Sequence, residues 1–172
     1  MATNTDPYFY RLCCAIALNS KCLSRQIGAI LVRDKLIVST GYNGPPRGVT
    51  HCGQKDFVYD SLSGLTVNPA VNKVCPRHLL LYKSGEGLHL CPAAHAETNA
   101  IANAARLGVN CSGATLYLNA PTPCRACAPS VINAGIVEVV ALSLEPYDEL
   151  GLKLLNEAGV KVRVFVPPSQ EF

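Results

Sequence analysis

Two short runs carry residue types that could do chemistry together. They are His95-Ala96-Glu97 and Cys124-Arg125-Ala126-Cys127, the second beginning 27 residues after Glu97 behind Pro121-Thr122-Pro123. One imidazole and two thiols in a C-x-x-C step are zinc ligand types, and three protein ligands leave a tetrahedral metal one position for water. Such a water is brought from a pKa of about 16 to about 7 and becomes a usable nucleophile. Glu97, two residues past the histidine, is placed to carry its proton. The bland alternative is a structural zinc whose fourth position is closed by another side chain such as Cys91. A structural zinc, however, has no use for Glu97.

The segments around these runs read as helices and strands in alternation. His95 to Leu107 reads as a helix stopped by Gly108, Ala114 to Asn119 as a strand, and Cys124 to Ala134 as a helix stopped by Gly135. Ile136 to Leu142 reads as a strand, Pro146 to Ala158 as a helix stopped by Gly159, and Val160 to Val166 as a strand. A glycine after each helix suits a left-handed C-terminal cap. On this reading Thr122 is an N-cap with Pro123 at the first helical position, and both cysteines sit in the first turn of that helix. His95 opens the other helix, so two helix N-termini converge on the metal and favour thiolate over thiol.

Upstream, Asp6-Pro7 starts a helix that puts Phe9, Leu12, Cys13, Ile16 and Ala17 on one face. Cys13 and Cys14 read as small buried hydrophobes, whereas Cys22 lies just beyond the helix. Ile27 to Val32 and Leu36 to Thr40 read as strands joined by the turn Arg33-Asp34-Lys35. The first is apolar on both faces, which predicts cover on both sides. The last two strands are linked through a helix and are expected to be parallel. The sum is an α/β domain with three layers, helices lying on both faces of a mixed five-stranded sheet, in a single unit over residues 1–172.

Composition narrows the class. The 172 residues are 49% hydrophobic and 16% charged, which favours a packed core over disorder. Lys and Arg number 15 against 12 Asp and Glu, and this mild, evenly spread excess does not outline a nucleic-acid footprint but suits a small anionic ligand. No charged start leads into an apolar core, no apolar run reaches ~18 residues, and nine cysteines without a secretory signal read as thiols and metal ligands in a reducing compartment. A cytoplasmic protein without a membrane partner is expected.

Two loops complete the reading. Gly41-Tyr42-Asn43-Gly44-Pro45-Pro46-Arg47-Gly48 ends the second strand in a loop that lets backbone approach a ligand, with Asn43 offering a donor and an acceptor. From about residue 49 to 94 periodicity fails while Gly, Pro, Cys and His accumulate, as in a functional or metal-tied insertion. Of its His51, Cys52, Cys75, His78, His89 and Cys91, four could hold a second, structural zinc; Cys52, Cys75, His78 and Cys91 are the candidate set.

The motif pieces taken together are Arg25-Gln26-Ile27-Gly28-Ala29, Gly41-Tyr42-Asn43-Gly44 with Pro46 and Gly48, and His95-Ala96-Glu97 with Asn99-Ala100-Ile101. Pro123-Cys124 to Cys127-Ala128, Ile132-Asn133-Ala134-Gly135-Ile136 and Ala158-Gly159-Val160 follow. On these the chain resembles the zinc-dependent cytidine/deoxycytidylate deaminase superfamily, whose H-x-E and P-C-x-x-C signature it carries. The G-Y-N-G loop and the H-A-E-x-N-A-I run point to the deoxycytidylate branch. The resemblance implies a cytidine deaminase-like fold and hydrolysis of dCMP to dUMP and ammonia, with zinc on His95, Cys124 and Cys127. It also implies proton shuttling by Glu97, contact of the Ala96 backbone with the pyrimidine, and Asn43 on the sugar. Arg25 and Arg47 are basic residues in the right segments for a phosphate, and Tyr147 is a further candidate for the pocket. Family members form homo-oligomers, and some respond to deoxynucleoside triphosphates, which makes dCTP and dTTP candidate effectors. The insertion, with its run Lys83-Ser84-Gly85-Glu86-Gly87-Leu88, is longer than in the simplest members, so a modified dCMP and dCTP stay open as substrates. Cytidine deaminases and tRNA adenosine deaminases share the zinc motif, and a zinc-held interaction module is the non-enzyme alternative.

Overall fold

The computed structural model describes residues 5–144 and 149–167. Its framework is helix α1 (Asp6–Ala17), strands β1 (Gly28–Arg33) and β2 (Leu36–Tyr42), the insertion, then α4 (Ala96–Arg106), β5 (Thr115–Leu118), α5 (Ala128–Asn133), β6 (Glu138–Ala141), α6 (Glu149–Glu157) and β7 (Lys161–Val164). The insertion holds β3 (Val58–Tyr59), β4 (Thr66–Val67), α2 (Pro69–Asn72) and α3 (Pro76–Leu79). The main sheet runs β2-β1-β5-β6-β7. The β2/β1 and β1/β5 pairs are antiparallel, and β5/β6 and β6/β7 are parallel. This is the mixed five-stranded sheet that the sequence predicts.

Strand alternation divides the core between the two faces. Ile30, Val32, Tyr117 and Val140 pack with Phe9 and Cys13 of α1 on one side. Ala29, Leu31, Leu116, Leu118, Val139 and Ala141 meet Ala96, Ala100 and Ala104 of α4, Ala128 and Val131 of α5 and Leu155 of α6 on the other. Each fully buried Leu, Ile or Val contributes about 1.5–3 kcal/mol relative to exposure. The β1–β2 turn forms at Asp34 and Lys35, both at positive φ, as a two-residue hairpin of this hand requires.

Helix α4 lies close against β2 because its inward face is alanine every fourth residue and the strand answers with Gly41. A Cβ at Gly41 would sit 2.3 Å from the Ala100 nitrogen and 2.5 Å from the Ala96 oxygen. Asn99 and Asn103 donate to the carbonyls of Tyr42 and Thr40 at 2.8 Å, and the Ser39 hydroxyl donates to Ala100 O at 2.7 Å. The N-terminus of α4, and with it His95, is thereby set against the end of β2.

The insertion is irregular only in the sense that its pieces are short. Its ends are pinned side by side by reciprocal bonds between Gly44 and Ala94 (3.1 and 2.8 Å). Its centre is Asp60, 0% exposed, whose carboxylate accepts from Ser63 Oγ (2.6 Å), Tyr82 Oη (2.8 Å) and the backbone of Leu62 and Ser63, and pairs with His89 Nε2 (2.7 Å). The Ser63 hydroxyl, then His89 and Tyr82, hold the Asp60 carboxyl well below the usual range against the upward pull of burial. A folded-state pKa below the unfolded one stabilises fully above the unfolded value, near pH 4, and loses that contribution as pH falls toward the folded value. Asp60→Asn is therefore expected to lower the melting temperature at pH 7, and the gap from wild type is expected to close as pH drops below about 4. Melts across pH 7 to 3 read this directly, and a gap independent of pH would contradict it.

Candidate active site

His95 is the residue that caps α4 rather than its first helical residue, with extended backbone (φ −76, ψ 159) that turns its ring toward the Cys124–Cys127 turn. That turn is not the start of the expected helix. Helix α5 begins at Ala128, Cys127 is its N-cap, and Pro129 occupies its first turn. Cys124 O nevertheless accepts from the nitrogens of Cys127 and Ala128 (both 2.9 Å), so one helix-like turn carries both sulfurs on one side. From α6, Gly151 approaches so closely that a Cβ there would meet Pro123 O at 2.3 Å, which fixes the turn from behind.

His95 Nδ1 lies 3.4 Å from Cys124 Sγ and 3.2 Å from Cys127 Sγ. The three ligand atoms fall within 4.8 Å of one another, the one such His/Cys/Asp/Glu group among the described residues. A tetrahedral zinc with bonds of about 2.3 Å to sulfur and 2.0 Å to nitrogen holds such atoms about 3.5 Å apart, so these three fit it. The charges agree. The bond with Cys124 and then burial and the Glu97 carboxylate push the Cys127 thiol far up, while the Cys124 bond raises His95 against burial. Burial raises the carboxyl of Glu97, itself 7% exposed, and its own backbone N–H and His95 pull it back. Acidic groups crowded into a dry corner are what a divalent cation relieves.

This corner opens into a cavity of about 350 Å³. Ala96, Glu97, Thr122 and Cys124 are buried members of its wall; Arg25, His78 and Ser84 are exposed and mark its mouth. Asn43 also lines it, but its amide is engaged in shaping the wall, Oδ1 accepting from Ile27 N (2.9 Å) and Nδ2 donating to Arg25 O (2.8 Å). Arg47 is exposed and is not among the residues that line the cavity. Tyr147 lies outside the described residues, as does the expected helix start at Pro146. Arg77 was not anticipated from the sequence: it lines the cavity from the insertion, where no periodicity marks which side chains turn inward.

Thr122 does not cap a helix. Its Oγ1 is the buried side-chain polar atom without a hydrogen-bond partner among the described residues. A lone buried hydroxyl costs about 1–3 kcal/mol, so Thr122→Val is expected to raise the melting temperature by about 2–12 °C. A lower melting temperature would show that the hydroxyl is satisfied in solution.

The expected second metal set is not assembled at ligand distances. Cys52, Cys75, His78 and Cys91 do not come within 4.8 Å as a group, and His78 Nε2 instead lies 3.2 Å from Ser24 Oγ. His51 accepts from Gly53 N and His89 serves Asp60. The histidines of the insertion are thus taken up by hydrogen bonds that hold its turns.

Comparison with known proteins bears on the same residues. Residues 3–143 match a family model described as the cytidine and deoxycytidylate deaminase zinc-binding region. The chain is 34% identical over 163 residues to the deoxycytidylate deaminase of Schizosaccharomyces pombe, covering 95% of this chain and 44% of that one. Against the Saccharomyces cerevisiae deoxycytidylate deaminase it is 35% identical over 167 residues, covering 96% and 46%. It therefore spans less than half the length of these two yeast relatives. With the deoxycytidylate deaminase of Enterobacteria phage T2 it shares 30% identity over 164 residues, 86% of this chain and 85% of the other. In fold it is similar to the dCMP deaminase of cyanophage S-TIM5 solved with dCMP and dUMP (TM-score 0.68, 22% identity, 96% and 99% covered).

Proposed function

Since the chain belongs to the cytidine and deoxycytidylate deaminase family, we propose that it hydrolyses the exocyclic amine of a cytosine deoxynucleotide, dCMP, to give dUMP and ammonia. The observation that carries this reading is a buried carboxylate, Glu97, sharing one cavity with His95 and Cys124. Zinc held by His95, Cys124 and Cys127 supplies the Lewis acidity that lets water act as a nucleophile near neutral pH. The rest of the chemistry falls to the chain. Glu97 accepts a proton from the attacking water and passes it to N3 as the oxygen bonds to C4. It then takes the second proton from the hydroxyl now on C4 and gives it to the amine, the C4–N4 bond breaks, ammonia leaves, and the C4 carbonyl of uracil is left. Ala96, 0% exposed beneath the cavity, is positioned to present backbone to the flat ring. Asn43 shapes the wall where the sugar would lie.

Ammonia release from dCMP, dCTP, deoxycytidine, cytidine and tRNA tests the reading. A preference for dCMP is expected, and release from tRNA alone would overturn it. On the support of family membership we extend the reading to a cytoplasmic homo-oligomer acting on free nucleotide, with dCTP and dTTP as candidate effectors.

For the insertion we infer a second zinc on Cys52, Cys75, His78 and Cys91, supported by the accumulation of ligand residue types in a segment with little hydrophobic core of its own. Burial pushes the Cys52 thiol up to about 11, with smaller contributions from Cys75, Cys91 and Cys22. Metal analysis is expected to give two zincs per chain and one after Cys75→Ser. A single zinc in both proteins would refute it.

A further inference from the structure

The wall of the cavity carries a hydroxyl that the fold leaves unused. Of the polar residues in the lining, Asn43, Glu97, Thr122 and Cys124 are buried. Cys124 belongs to the His95, Cys124, Cys127 set, Glu97 is the proton carrier, and the Asn43 amide is engaged by Ile27 N and Arg25 O. Thr122 remains. It is 6% exposed, and its Oγ1 has no hydrogen-bond partner among the described residues. Buried hydroxyls elsewhere in the framework are matched: Ser20 Oγ donates to Asn43 O and Ser39 Oγ to Ala100 O, both at 2.7 Å.

The backbone gives Thr122 little freedom to find such a partner. It stands between Pro121 and Pro123, so the ring that follows confines it to extended conformations, and its branched Cβ makes the side chain stiff. Thr122 N donates to Ser143 O at 3.2 Å, which ties the residue to the segment after β6, while Pro123 O faces Gly151 of α6. Helix α5 begins only at Ala128 with Cys127 as its cap, so the Thr122 hydroxyl caps nothing. A polar group kept dry and unpaired destabilises the free protein and calls for a partner from outside the fold. Thr122 stands two residues before Cys124, at the metal end of the cavity. On the cytosine-nucleotide reading above, Glu97 serves N3 and the incoming oxygen at that end, and the 4-amino group is the polar group still to be held.

We propose that the Thr122 hydroxyl accepts an N–H of the 4-amino group and holds the amine as it takes up a proton and leaves. The inference deepens the cytosine-nucleotide reading and rests on it. A hydrogen bond from an amine strengthens as the nitrogen becomes cationic. The contact therefore acts more on the transition state than on the ground state, and its loss is expected chiefly in kcat. The same hydroxyl that weakens the free protein thus serves turnover.

The test measures melting temperature, zinc content and ammonia release from dCMP for the zinc-loaded wild type, Thr122→Val and Thr122→Ser. Valine keeps the shape without the hydroxyl, and serine keeps the hydroxyl. Thr122→Val is expected to melt above wild type, to retain its zinc and to lose about 10- to 100-fold in kcat with a smaller change in KM. Thr122→Ser is expected to recover most of that kcat, which a purely structural role would not require. Thr122→Ala asks for less space than valine and gives the same kcat reading where the valine protein does not fold. A wild-type kcat in Thr122→Val, a loss confined to KM, a loss that serine does not restore, or a melting temperature below wild type would overturn the proposal while leaving the deaminase reading intact. A wild type that releases ammonia from no cytosine compound would remove both.

Discussion

Replacing Glu97 by glutamine is expected to abolish turnover while leaving the fold and the metal in place. The side chain is 7% exposed and lines the cavity beside His95 and Cys124, so an isosteric amide keeps the packing. What it removes is the carboxylate that takes up a proton twice, from water and then from the C4 hydroxyl, and delivers the first to N3 and the second to the amine. General acid and base catalysis each contribute about 10²–10⁴-fold, and one residue serving both puts the expected fall in kcat at the upper end of that range or beyond it. Zinc content is expected to be unchanged, because the carboxylate is not needed to complete the His95, Cys124, Cys127 set. Ammonia release near the wild-type rate from the glutamine variant would remove Glu97 from the chemistry.

Cys127→Ser is expected to produce the same inactivity by the opposite route. Cys127 is 1% exposed and its sulfur stands 3.2 Å from His95 Nδ1. A serine hydroxyl is a poor zinc ligand, and two remaining ligands hold the ion far less tightly than three. Metal analysis should show the catalytic zinc gone and activity gone with it. The melting temperature should fall as well, since an ion bound only by the folded state stabilises it. Inactive with metal for Glu97→Gln, inactive without it for Cys127→Ser: that pair of results separates proton transfer from metal binding. Full zinc occupancy and activity in the serine variant would contradict the ligand set.

Much of the architecture was legible from local rules. Gly108, Gly135 and Gly159, each at positive φ, end their helices as their sequence positions foretell. The apolar run of β1 has both faces covered because α1 and α4 pack on opposite sides of it. The His95/Glu97 and Cys124/Cys127 pieces were readable for a similar reason. Ligand type and short spacing are properties of a few adjacent residues, and the chemistry constrains them whatever the surroundings.

Other features required the folded chain. The cysteine turn looked helical because Thr122 and Pro123 mimic a helix start, but the close approach of Gly151 and Pro123 fits a separate turn before α5. Arg47, adjacent to the loop motif, does not line the cavity, while Arg77, distant in sequence, does. His89, a candidate ligand by type, serves a buried aspartate instead. Residue identity and spacing alone thus determined the sheet, its helices and the metal-binding corner, since hydrophobic period, glycine caps and ligand chemistry act over a few residues. Which side chains of the insertion reach that corner was decided by tertiary structure, because a segment without periodicity takes its orientation from long-range contacts: the Gly44–Ala94 bridge and the Asp60 hub.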